Sequence, residues 1–327
     1  MSGSALPALV LALISLALQP EPDAELSAAR QLIDAGRAAE ARDRLAALEQ
    51  TPGVRLLLGV AHFHADEFAQ AAALLQQVVE ELPPEPSARR EAVQVLGLSL
   101  YQAGRLADAV PHLEQTRRWA GESAELDQIL GRAYIQTRQP DRAREAWART
   151  FGLEAGSAAA HLLTAQMMIR VDFGEEAAEE LRRAIAKDPR LPRAHYLLGQ
   201  LAIFRARFEE GIELTRRELE LNPSDAMAYY QLGDALSRQQ RWEEAIDALQ
   251  RSLWLNPWYS GPYILLGQAY SRTDRPATAE GMLRQAIGYD PNNPQAHYLL
   301  GQLLQKTGRT AEAAEHLDLA QRLQQER

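Results

Sequence analysis

The sequence contains no cysteine. This excludes disulfides, thiolate metal sites, cysteine nucleophiles and a lipid-bearing cysteine. Aromatic residues are scarce, at 6% of 327, although 46% of the residues are hydrophobic. The core must therefore rest on alanine and leucine more than on rings. Bases are outnumbered: 35 Lys and Arg against 44 Asp and Glu give a formal charge of −9. Binding a phosphate backbone needs a basic face, so a nucleic-acid partner is not expected. Catalytic spacing is missing as well. There is no Gly-rich phosphate loop, no H-E-x-x-H and no G-x-S-x-G. His62 and His64 lie two apart, on roughly opposite faces of a helix, and cannot share a metal. Glu175–Arg183 reads as a solvated helix face in which Glu179 pairs with Arg183 four residues on. No enzymatic activity, cofactor or metal is expected.

Long apolar runs are confined to the N-terminus. Ala5–Leu18 is apolar but for Ser15, yet it is short for a bilayer span. Its length and the small residues at Ser15-Leu16-Ala17 fit a signal peptide, although no Lys or Arg precedes Arg30. Residues 1–21 are therefore read as a signal peptide or apolar N-terminal segment plus linker. An exported protein, periplasmic or secreted, is the expectation. Contact with a membrane would run through this segment alone, if it is not cleaved.

What the rest of the chain has is a period. "AHYLLGQL" occurs at Ala194–Leu201 and again at Ala296–Leu303, 102 residues on, which is three times 34. Gly199, Gly233, Gly267 and Gly301 keep that phase, and Gly131 and Gly97 extend it backwards with Ala165 between them. Twelve residues after each comes a second small residue, such as Ala143, Gly211, Ala245 and Ala279. Asp188-Pro189, Asn222-Pro223, Asn256-Pro257 and Asp290-Pro291 punctuate the units, because a residue before proline leaves the helical region. Within a unit, apolar residues fall at three- and four-residue spacing in two stretches. Each unit is expected to be a helix pair, with Gly104 and Gly308 supplying left-handed residues at two of the turns. The small residues at unit positions 8 and 20 are expected to face one another where the helices cross. Leucine at either would overpack the seam by about 1–3 kcal/mol.

A 34-residue period with small residues at 8 and 20, an aromatic or His at 4, Leu at 7 and Pro at 32 resembles the tetratricopeptide repeat family. Tyr229-Leu232-Gly233-Ala245-Pro257 and Tyr263-Leu266-Gly267-Tyr270-Ala279-Pro291 carry the resemblance best. The expected fold class is all-α, a right-handed superhelical solenoid of about nine helix-turn-helix units. They fill residues 22–327 and start near 22, 52, 90, 124, 158, 192, 226, 260 and 294. The pattern is weakest in the first and the fifth unit, where Ala165 and Met168 replace the usual residues.

The resemblance implies a concave groove that binds protein or peptide segments. Positions 2, 5, 9 and 12 of the first helix share the stripe opposite the helix pair. The candidate groove residues are Arg132, Gln166, Gln200, Asp234, Gln268 and Gln302 at position 9, with Tyr196, Tyr230 and Tyr298 at position 5. Gln offers both a donor and an acceptor to a peptide backbone, and Tyr a rigid ring with a hydroxyl. Arg170, Arg238, Arg272 and Lys306 at position 13 form a candidate basic rail, which would equally complement the helix C-termini. The Lys/Asn carboxylate clamp of chaperone-binding members is absent. His161, His195 and His297 at position 4 are read as core residues, Trp254 as packing, and Trp258 as reaching the groove edge. The function expected is a non-catalytic scaffold or adaptor. The alternative is an accessory subunit that recruits substrate to a separate enzyme.

Overall fold

The computed structural model describes residues 24–82 and 86–326. The expectation for residues 1–21 lies outside the described residues. Among these the regular structure is eighteen helices, with no strand. The chain divides into two compact units between Glu176 and Ala177. In the first, α1 (Ala24–Asp34) pairs with α2 (Ala38–Ala46), and α3 (Pro52–His64) with α4 (Phe68–Glu81). Then α5 (Pro86–Gln102) pairs with α6 (Leu106–Trp119), α7 (Ala124–Gln136) pairs with α8 (Pro140–Phe151), and α9 (Ala158–Ile169) packs on α8. The division falls in the first turn of α10 (Gly174–Lys187). In the second unit α11 (Ala194–Phe204) pairs with α12 (Phe208–Leu221), and α13 (Ala226–Arg238) with α14 (Trp242–Leu255). The pairs α15 (Ser260–Arg272) with α16 (Pro276–Tyr289), and α17 (Pro294–Lys306) with α18 (Thr310–Gln325), complete it. The helix α5 begins at Pro86, four residues before the expected unit start at Arg90.

The sequence ends each first helix by one device. The residue at position 15 has a positive φ at every one of these turns: Gly36, Asp66, Gly104, Arg138, Asp172, Ala206, Gln240, Asp274 and Gly308. The next N–H then reaches back five residues, as Arg207 N to Ala202 O, Arg241 N to Leu236 O and Arg309 N to Leu304 O, each at 2.9 Å. This pairs carbonyls that the helix end would leave bare. Glycine marks only three of these turns. Starts are marked by capping oxygens: Ser123, Ser157, Asp225 and Asn293 accept from backbone N–H groups of the first turn they precede.

The seam between paired helices differs from the expectation in one respect. What presses on the position 8 glycine is chiefly the large side chain at position 24, with the small residue at position 20 secondary. A Cβ on Gly233 would stand 2.5 Å from Leu249 Cγ, one on Gly267 2.5 Å from Leu283 Cγ, and one on Gly131 2.7 Å from the Trp147 ring. The second helix lays its bulk into the notch that glycine leaves. The pair α11 and α12 exchanges the sizes. Thr215 is the position 24 residue, Gly211 stands at position 20, and Ile203 fills the space that a Cβ on Gly211 would need. In the second unit one apolar core runs from Ile203 to Ala313 through all four pairs. Each buried Leu there is worth about 1.5–3 kcal/mol against exposure.

Candidate functional site

Four of the residues singled out in the sequence meet at one place in the second unit. Gln268 and Arg272 on α15, and Gln302 and Lys306 on α17, line a hollow of about 490 Å3 with Ser271, Leu283, Leu299, Leu303 and Gly267. The two helices pack side by side, and positions 9 and 13 of each look out between them. The floor is apolar and the rim carries two amides and two cations. Among the described residues no Asp or Glu lines it. Arg272 and Lys306 are the last residues of their helices, where a cation suits the dipole. Among the described residues neither has an ion-pair partner within reach. Gln302 Nε2 donates to the Tyr298 hydroxyl at 2.7 Å, which ties the rim to the adjoining ring.

The rest of the two rows behaves unevenly. Arg238 donates to Asp234 at 2.9 Å, four residues earlier, so at this step rail and groove neutralise one another. Gln200 is exposed. In the first unit Arg132 and Arg170 are exposed and Gln166 is half-buried. The position 5 row needs correction as an open lining. Tyr196 is only 8% exposed, with the Arg193 guanidinium 5.5 Å from its ring centre, and Ile264 is buried. Tyr230 is half-buried with its ring edge-on to Tyr259 at 5.2 Å. Burial, with Tyr259 beside it, pushes the Tyr230 hydroxyl well up from its ordinary value. The reason is the side-by-side contact of successive first helices. Position 5 falls between neighbours, and Gly261 makes room for the two rings, since a Cβ there would be 2.8 Å from Tyr259 and 3.0 Å from Tyr230. Tyr298, on the last first-helix of the described residues, is the exposed one, at 49%. Position 12 is turned inward at Ile203 and Ser237 too.

Other expectations shift in detail. Arg183 donates to Glu180, three residues earlier, at 2.7 Å. Trp254 is 71% exposed beneath the Arg251 guanidinium rather than packed, and Trp258 is 77% exposed, edge-on to Tyr289. His161, His195 and His297 are buried. His297 Nδ1 and His316 Nδ1 stand 2.9 Å apart, and His297 Nε2 lies 2.9 Å from Pro291 O. The carbonyl requires a proton on His297 Nε2, so in the neutral pair His316 donates.

Sequence reading also misses an ionic ladder at the turns. Arg275 reaches back to Glu243 of the preceding pair at 2.7 Å, and Arg309 to Glu280 at 2.8 Å. Arg207, Arg241, Arg275 and Arg309 share position 16, and that recurrence is the signal that would have found it. No three of His, Asp and Glu gather around a metal-sized space among the described residues. No helix among them is long and apolar enough to cross a membrane.

Comparison with known proteins adds the family. No curated protein matches the sequence. Solved structures do. MamA residues 41 to the end from Desulfovibrio magneticus RS-1 are 22% identical over 52% of this chain and 96% of that one, with a TM-score of 0.49. YrrB, described as a TPR protein with an unusual peptide-binding site, is 21% identical over 56% and 94%, at 0.48. The APC/C hetero-tetramer Cut9-Hcn1 is 17% identical over 86% and 55%, at 0.46. The family model for anaphase-promoting complex, cyclosome, subunit 3 matches residues 175–252. Two models described as tetratricopeptide repeat match residues 26–86 and 264–326, and residues 100–167. These two span more than half of the sequence, and the chain belongs to the tetratricopeptide repeat family.

Proposed function

We propose that the protein is a non-catalytic scaffold that holds extended segments of partner proteins along the exposed stripe of first helices in its second unit. The observation that carries this is the hollow between α15 and α17, where two amides and two cations with no ion pair among the described residues stand over an apolar floor. An extended segment offers alternating N–H and C=O groups, and a Gln amide can answer either one. The apolar floor takes a side chain while the rim takes the backbone, the division of labour common to peptide grooves. On the sequence of residues 1–21 alone, the scaffold is proposed to work outside the cytoplasm.

The test is capture of partners by the purified full chain against Gln268→Ala with Gln302→Ala. Both side chains stand on the rim, so helicity and melting should be unchanged. The reading expects a set of polypeptides to be lost from the double variant. An identical set from both proteins would refute the site.

A further inference from the structure

The last residues of the four first helices in the second unit are Phe204, Arg238, Arg272 and Lys306. They occupy equivalent positions 34 residues apart, and their states differ in a fixed order. Phe204 is a large apolar side chain left 83% exposed. Arg238 is neutralised by Asp234. Arg272 and Lys306 have no ion-pair partner among the described residues, and none of those residues lines their hollow with a carboxylate. The row therefore runs from an apolar step, through a neutral one, to two cationic ones. A helix end needs no aromatic ring, and an isolated ring fully in water loses the burial that would repay it. Dipole complementarity accounts for cations along the row but not for Phe204.

From this gradient we infer that the second unit selects a partner segment with an apolar side chain near one end and carboxylates toward the other. This rests on the scaffold reading above and deepens it. The spacing follows from geometry. Packed helices stand about 8–10 Å apart, and an extended chain advances about 3.3 Å per residue. Each step of the row then spans about three residues. The carboxylates that meet Arg272 and Lys306 fall about six and nine residues from the side chain that covers Phe204. The chemistry is charge-assisted at one end, where Asp or Glu meets a guanidinium and an ammonium, and hydrophobic at the other. The middle step, where Arg238 is already paired with Asp234, offers a third carboxylate no cation of its own. The net charge of −9 on the whole chain makes this cationic stretch a local exception rather than a general attraction for anions.

The experiment measures fluorescence anisotropy of labelled 14-residue peptides titrated with the full chain. One peptide carries Leu with Glu six and nine residues on. A second has the same composition in scrambled order, and a third has both Glu replaced by Gln. The inference expects the ordered peptide to bind at least about tenfold tighter than either control, with an affinity that falls as salt rises. Arg272→Gln with Lys306→Gln should cut that advantage about tenfold, and Phe204→Ser should cut it severalfold. All three side chains are exposed, so circular dichroism should be unchanged. Equal binding of ordered and scrambled peptides overturns the inference. If that binding is still lost in Gln268→Ala with Gln302→Ala, the scaffold site stands without the selectivity. Absence of binding by every peptide overturns the inference, and the scaffold site then stands or falls by the capture experiment alone.

Discussion

Ala206 holds φ at +58° in the turn between α11 and α12, a conformation that costs a side chain about 1–2 kcal/mol. Glycine would remove that strain and lose about 0.5–1 kcal/mol to its flexibility when unfolded. Ala206→Gly should therefore raise stability by up to about 1.5 kcal/mol, read as a higher urea midpoint; a lower midpoint would contradict the turn geometry. Glycine announces the left-handed region, as at Gly104 and Gly308, and Ala206 or Gln240 does not; Gly36 sits in the first repeat unit, where the repeat pattern is weakest. The position 8 glycines were legible as close contacts. Their partner at position 24 was not, since a sequence period fixes spacing along a helix but not which side chain crosses the seam. Histidines make a second residue-scale prediction. Burial holds the imidazoles of His195 and His112 below their ordinary value. It does the same to His316, with His297 and Arg284 adding to the effect and Glu312 and Glu315 opposing it. The unfolded chain thus takes up protons first. The stability these groups contribute is whole above the unfolded value of about 6.5 and is lost as pH falls through the folded values. The melting midpoint should be lower at pH 5.5 than at 7.5, and a flat profile would contradict these burials.

At the scale of the element, the helix pair is held by its seam and only trimmed by its charges. Leu249 is fully buried and lies over Gly233. Leu249→Ala should cost about 2–5 kcal/mol, read by urea denaturation, and a loss below about 1 kcal/mol would mean that the seam packs elsewhere. The arginine ladder at the turns works differently. Glu280 accepts from both Arg284 and Arg309, whose guanidiniums hold its carboxyl below the usual range. Both arginines are exposed and Glu280 is half-buried at the surface, a setting in which ion pairs add little and salt screens them. Glu280→Gln should lower the melting midpoint slightly at low salt and not at all in high salt. A large, salt-independent loss would mark the ladder as a structural core. Helices and their pairing were readable because a 34-residue period repeats its apolar spacing many times over. The inward turn of Tyr196 and of position 12 was not. It depends on how closely successive first helices approach, which no single unit encodes.

For the whole molecule, two statements go beyond the fold. One is export, which rests on the sequence of residues 1–21. The protein isolated from its host should lack the apolar segment Ala5–Leu18, as N-terminal sequencing would reveal. Intact Met1 in a cytoplasmic fraction would refute export. The other is the proposal that the stacked helix pairs serve as a scaffold that grips partners by one face of the second unit. Site-specific photocrosslinking in the native host tests this most directly. The crosslinking residue replaces Gln268 in the hollow or, as the control, exposed Gln285 on the second helix of the same pair. The account predicts discrete polypeptide adducts from position 268 that are absent or much weaker from position 285. No adduct at 268, or the same adducts at both positions, would contradict it.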